Sequence, residues 1–155
     1  MTITAVTHLN FTGNAREALE FYASVFDGRL TIATYGDFGM PGELPDAGRV
    51  VFGQVIADSG FQIMAFDAPS HADLTPDLNS RTLRVDNTTA TDAPFFVSVR
   101  GEDVVEVGAL WDKLSDGGRI VEPFGPVPWA PAFGMLTDRF GVTWILDVAM
   151  QFAGA

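Results

Sequence analysis

Asn14-Ala15-Arg16-Glu17-Ala18-Leu19-Glu20-Phe21-Tyr22-Ala23-Ser24-Val25-Phe26-Asp27-Gly28 returns in outline 89 residues further on, as Asp103-Val104-Val105-Glu106 closing at Asp116-Gly117-Gly118. In the first copy Ala15, Leu19, Tyr22 and Phe26 recur at spacings of 4, 3 and 4, which lays one apolar stripe along a helix. In the second, Val104, Val107, Trp111 and Leu114 recur at 3, 4 and 3. Asn14 is an expected N-cap, with Glu17 reaching back in a capping box. Gly28 is the expected left-handed stop. Downstream, Phe52-Gly53 followed by Gly60 recurs as Phe133-Gly134 followed by Gly141, each shifted by 81. Such self-similarity implies a duplicated unit and pseudo-symmetry.

Strands flank each helix. Residues 5–11, 29–35, 50–57 and 61–66 carry the β-favouring composition in the first copy, with a hairpin turn at Asp58-Ser59-Gly60. Residues 95–99, 119–124, 133–137 and 142–148 repeat the order, the last pair turning at Asp138-Arg139-Phe140-Gly141. Pro123, Pro126, Pro128 and Pro131 predict a stiff loop before that hairpin. The chain therefore divides into a first βαβββ module (1–67), a connecting segment (68–94) and a second βαβββ module (95–155). The connection is polar and long for the interior of a domain, with a short strand expected at 80–85. A lid, an oligomer contact and a flexible linker are its open readings.

Composition removes several function classes. Nearly half of the 155 residues are apolar, ample for a core, whereas 9 Lys+Arg face 20 Asp+Glu for a formal charge of −11. That surface repels phosphate backbones and anionic bilayers, so neither nucleic acid nor membrane is an expected partner. With no Cys there is no disulfide, thiolate metal site or Cys nucleophile. The start, Met1-Thr2-Ile3-Thr4, carries no signal-peptide pattern, and no apolar run approaches the ~20 residues of a membrane span. A cytoplasmic location is expected. Gly-x-Ser-x-Gly, P-loop and dinucleotide fingerprints are lacking.

Several segments resemble one family. His8-Leu9-Asn10-Phe11-Thr12-Gly13 running into the first helix, then Val25-Phe26-Asp27-Gly28, is similar to the start of the PhnB-like branch of the vicinal oxygen chelate superfamily. That superfamily includes glyoxalase I, bleomycin-resistance proteins and extradiol dioxygenases. Trp129, Phe133-Gly134, Asp138-Arg139-Phe140-Gly141 and Trp144 resemble the branch's C-terminal signature. The resemblance implies an α+β fold of two βαβββ modules with pseudo-two-fold symmetry, forming a cupped mixed sheet, and a homodimer. It also implies a divalent metal held in metal-dependent members by His on the first strand and Glu or His on the last strand of each module. PhnB-like sequences sometimes carry a ubiquinone methyltransferase label. No nucleotide-binding Gly-rich βα turn supports that label here.

His8 matches the first of those metal positions. Its counterpart in the second module is Phe96 or Val97, the terminal-strand positions are Met64 and Ile145, and the third strands offer Gln54 and Met135. One imidazole, one amide and soft thioethers do not make a site for zinc or a hard cation. No metal or other cofactor is therefore expected, with His8 the one weak candidate ligand. Asp67 and Asp147 lie two or three residues beyond the ligand positions, and a one-residue slip in register would turn one of them inward.

His8, Gln54, Trp129 and Arg139 are the candidate ligand-binding residues, and His8 the candidate catalytic one. Trp129 is expected in the Pro-rich loop at the mouth of the cup. Arg49 and Arg139 are cations able to orient an anionic or carbonyl ligand, against the plainer role of rim salt bridges. Tyr22 and Trp111 sit on helix stripes and read as core, and His71 in the connection reads as solvated. Three functions follow, in order: a metal-free binder of a small organic molecule, a metal-dependent glyoxalase or dioxygenase type of enzyme, and a dimeric assembly or regulatory protein.

Overall fold

The computed structural model describes residues 2–70 and 81–149. The chain forms two compact units, Met1–Pro76 and Asp77–Ala155. In the first, β1 (Thr7–Phe11), α1 (Ala15–Phe26), β2 (Gly28–Thr34), β3 (Val50–Ala57) and β4 (Gln62–Asp67) form one helix and a four-stranded sheet of order β1-β4-β3-β2. The second unit begins with a two-stranded hairpin, β5 (Leu83–Val85) and β6 (Thr88–Ala90). It continues with β7 (Val97–Gly101), α2 (Val104–Leu114), β8 (Arg119–Val127), β9 (Ala130–Thr137) and β10 (Thr143–Val148), whose sheet runs β7-β10-β9-β8. The order of the two sheets is identical, strand for strand. In each, the first strand pairs parallel with the last and the other pairings are antiparallel.

Alternation assigns the faces. In the first unit Leu9, Phe11, Gly53, Val55, Ile63 and Ala65 are buried, on the face that packs under the α1 stripe of Ala15, Ala18, Leu19, Tyr22 and Phe26. Tyr22 is fully buried there, as its place on the stripe predicts. Gly53 is required by packing, because a Cβ would meet the Leu19 side chain. In the second unit Val107, Trp111 and Leu114 bury the α2 stripe, and a Cβ on Gly134 would lie 2.7 Å from the Trp111 ring. No helix among the described residues is long and apolar enough to cross a membrane.

Three local expectations need correction. Asn14 makes no side-chain cap bond; the α1 N-terminus is held from a distance by Asp67, whose Oδ1 accepts from the Ala15 N–H at 3.0 Å. The left-handed stop of α1 is Asp27 (φ 52°), and Gly28 instead opens β2, where a Cβ would run into Val55. The prolines at 123–131 do not form a loop. β8 pairs with one neighbour only, so its Pro123 and Pro126 sit on an edge strand that shifts register three times along β9. The connection to β9 is then a two-residue turn, Pro128-Trp129. The short strand expected at 80–85 is present as β5, one half of the β5–β6 hairpin. Its turn residues Asp86 (φ 50°) and Asn87 (φ 60°) are both left-handed, the geometry that matches the twist of a tight hairpin.

Candidate functional site

Register brings His8 and Gln54 together. His8 pairs with Met64, Met64 with Gln54 and Gln54 with Thr31, so one row of side chains crosses all four strands of the first sheet. This row lies on the face away from α1. His8 is exposed, and Met64 and Gln54 are half-buried. Asn10, two residues along, places Oδ1 3.1 Å from His8 Nδ1, and the Phe66 ring stands 5.4 Å from the imidazole at a 60° tilt. A proton on Nδ1 satisfies the Asn10 contact and leaves Nε2 as an acceptor. The face thus combines an imidazole and two amides with a thioether and an aromatic ring.

The matching row of the second sheet is Ser98, Ile145, Met135 and Glu122. Ser98, rather than Phe96 or Val97, is therefore the counterpart of His8. The strand-to-helix connection is one residue shorter in the second unit, which displaces the offset. A hydroxyl in place of an imidazole still leaves this position a poor metal ligand.

The two neighbouring aspartates are committed elsewhere. Asp67 is 1% exposed and faces α1, where Oδ1 accepts from Gly13 N (2.7 Å) and Ala15 N and Oδ2 from Val50 N (3.0 Å). Asp147 shares the face of Ile145, and Arg100 grips it with Nε at 3.0 Å and Nη2 at 2.7 Å. That hydrogen-bonded partner raises the Arg100 pKa above its ordinary value. Glu122 points to an ion pair with Arg84. No group of three His, Asp or Glu side chains among the described residues is placed to hold a metal ion. The imidazole, thioether and amide of the His8 row do not fit a divalent cation.

Trp129 and Arg139 are not brought together. Trp129 occupies the β8–β9 turn, half exposed, with its ring edge-on to Phe133 at 5.6 Å. Arg139 lies at the other end of β9, in the β9–β10 turn, where Nε and Nη2 donate to the Asp116 carbonyl and Nη2 to its carboxylate at 2.9 Å. Arg49 pairs with Asp46 at 3.0 Å and donates to the Ala68 carbonyl. Both cations thus clamp loops. Tyr35 donates to the Asp67 carbonyl at 2.7 Å, and burial pushes its pKa up. His71 lies outside the described residues. Arg84, absent from the sequence candidates, is the least exposed arginine in an ion pair, its side chain 8% exposed. A lone Arg in a short polar strand gives no signal of that burial.

Residues 5–146 match the family model described as the Glyoxalase/Bleomycin resistance protein/Dioxygenase superfamily. Over 148 residues, covering 93% of this chain and 94% of the relative, the sequence is 28% identical to protein YjdN of Escherichia coli (strain K12). Protein PA1353 from Pseudomonas aeruginosa matches with a TM-score of 0.75 at 28% identity, over 97% of this chain and 100% of that one. The PhnB protein from Bacillus cereus gives a TM-score of 0.68 at 28% identity, over 95% and 100% of the two chains.

Proposed function

Since the chain belongs to the Glyoxalase/Bleomycin resistance protein/Dioxygenase superfamily, we propose that it binds a small organic molecule, without a catalytic metal, on the face of its first sheet away from α1. The observation that supports this most is the row His8–Met64–Gln54, with Asn10 and Phe66 beside it. Ligand sites pair apolar lining with a few placed polar groups. Met64 and Phe66 supply the adaptable apolar contact, and His8 Nε2 and the Gln54 amide supply direction. The metal-dependent reading requires three or more strong nitrogen or oxygen ligands, and the one imidazole and neutral amides of this row fall short of that set.

A thermal-shift screen of small aromatic compounds, run with and without EDTA, tests the proposal. A binder raises the melting temperature to the same extent in both. His8→Ala and Gln54→Ala each remove one directional hydrogen bond and weaken that binder by about tenfold. A screen in which EDTA abolishes every binder, or in which neither variant weakens any of them, sinks this reading.

We propose in addition that two copies associate, as the PhnB-like resemblance implies, and that the acidic chain engages neither nucleic acid nor anionic membranes. Sedimentation velocity at micromolar concentration should give a single species of twice the 16.7 kDa chain mass. A monomer throughout that range removes the dimer.

A further inference from the structure

We propose that the guanidinium of Arg84 is a receptor for the carboxylate of a small aromatic acid, held beneath the β5–β6 hairpin against Phe133 and Trp129. The hairpin lies on the sheet face opposite α2. Gly134 faces Trp111 of α2, so its neighbours Phe133 and Met135 point the other way. Thr89 Oγ1 of β6 donates to Met135 Sδ at 3.5 Å, and the Arg119 guanidinium donates to the Thr82 carbonyl at 3.2 Å. Arg84 of β5 is pressed into this face, its guanidinium carbon 5.4 Å from the Phe133 ring centre and 6.0 Å from that of Trp129.

One edge of that guanidinium makes no hydrogen bond among the described residues. Nη1 donates to Thr89 Oγ1 at 3.1 Å, while Nε and Nη2 are buried without a hydrogen-bond partner among the described residues. Glu122 Oε2 stands 3.6 Å from Nε, close enough for charge attraction and too far for a hydrogen bond. The same edge is filled in two other arginines of this unit. Arg100 places Nε and Nη2 on Asp147, and Arg139 places them on the Asp116 carbonyl.

Nε–H and Nη2–H are parallel donors at the spacing of two carboxylate oxygens, and a carboxylate is the acceptor that satisfies both at once. Buried donors left unmet carry a desolvation cost that such a ligand would relieve. The two aromatic rings beside the guanidinium favour a planar aromatic body over an aliphatic one. Entry is through the hairpin itself. It has three residues per strand, and its outward Leu83 and Val85 are 54% and 56% exposed, so little apolar burial holds it down.

All the residues concerned lie in the second unit, so the failure of this proposal leaves the first-sheet reading where it stands. The test is calorimetric titration of the full chain with benzoate, and with benzamide as the uncharged counterpart, at about 0.15 M salt. Benzoate should bind at least about tenfold more tightly than benzamide. Arg84→Met should weaken benzoate by at least about tenfold, and Arg84→Lys, which keeps the charge and loses the fork, by a similar factor. Glu122→Gln leaves Arg84 in place and removes the competing carboxylate, so it should tighten benzoate about threefold or more. This variant keeps the proposal testable even if the Arg84 variants do not fold. Failure of the native chain to bind benzoate, an unchanged affinity in folded Arg84→Met, or an unchanged or weaker affinity in Glu122→Gln overturns it.

Discussion

Asp67→Ala is expected to lower the stability of the protein by about 4 kcal/mol, because three backbone N–H groups lose their acceptor together. Its two oxygens take the amides of Gly13, Ala15 and Val50, which belong to the β1–α1 connection, the first turn of α1 and the start of β3. Each buried donor left unmet costs roughly 1–3 kcal/mol, and local water entry recovers part of the total. The negative charge at the α1 N-terminus is lost as well, a further contribution of about 0.5 kcal/mol. Asp67→Asn keeps the size and one accepting oxygen but turns an NH2 toward an N–H, so it should recover only part of the loss. Urea unfolding of the three proteins, compared at equal m-value, gives the ranking. A loss below about 1 kcal/mol in Asp67→Ala would show that the backbone finds other partners.

Asp138→Ala should cost about 3 kcal/mol by the same logic in the second unit. Oδ1 accepts from Phe140 N at 2.8 Å and Val142 N at 3.0 Å, which shapes the β9–β10 turn. Oδ2 accepts from the Trp144 indole N–H at 2.8 Å, and that ring is fully buried. The aspartate therefore fixes a turn and a core side chain at once. Trp144→Phe removes one of the three donors and some ring volume. A double-mutant cycle with Asp138→Ala should show coupling of about 1 kcal/mol, whereas strictly additive losses would mean that the indole bond contributes nothing.

Element order was legible because period does not depend on context. The stripes Ala15–Phe26 and Val107–Leu114 are buried where a 3.6-residue repeat puts them, whereas Val104, also expected on the second stripe, is 45% exposed at the first turn of α2. Register was legible in part. The constant offset of 81 in the hairpins equated Met64 with Ile145 and Gln54 with Met135, and these residues hold equivalent places in the two sheets, Met64 beside Gln54 and Ile145 beside Met135. The same extrapolation failed at the first strand of the second unit, since the shorter β7–α2 connection moves Ser98 into the row. The prolines of β8 misled because a sequence does not show that a strand has only one neighbour. Asp86-Asn87 carried a readable turn signal that went unused, since both residue types tolerate the left-handed region. Arg84 was not legible at all. Its burial is set by Glu122, Trp129 and Phe133, between 38 and 49 positions away, across a strand whose register shifts.

The two helices solve the problem of their first turn differently, and the difference bears on the order of events during folding. Asp103 caps its own helix, accepting from the Glu106 N–H at 2.8 Å, so that α2 can close its first turn as soon as three residues meet. The α1 cap comes from Asp67, 52 residues away from Ala15, at the end of β4. Its formation waits for β4 to dock beside β1 and for the intervening loop entropy to be overcome. A nucleus built on local contacts is thus available to the second unit from the start. The first unit gains the cap of its helix only as its sheet closes, which couples that cap to strand pairing.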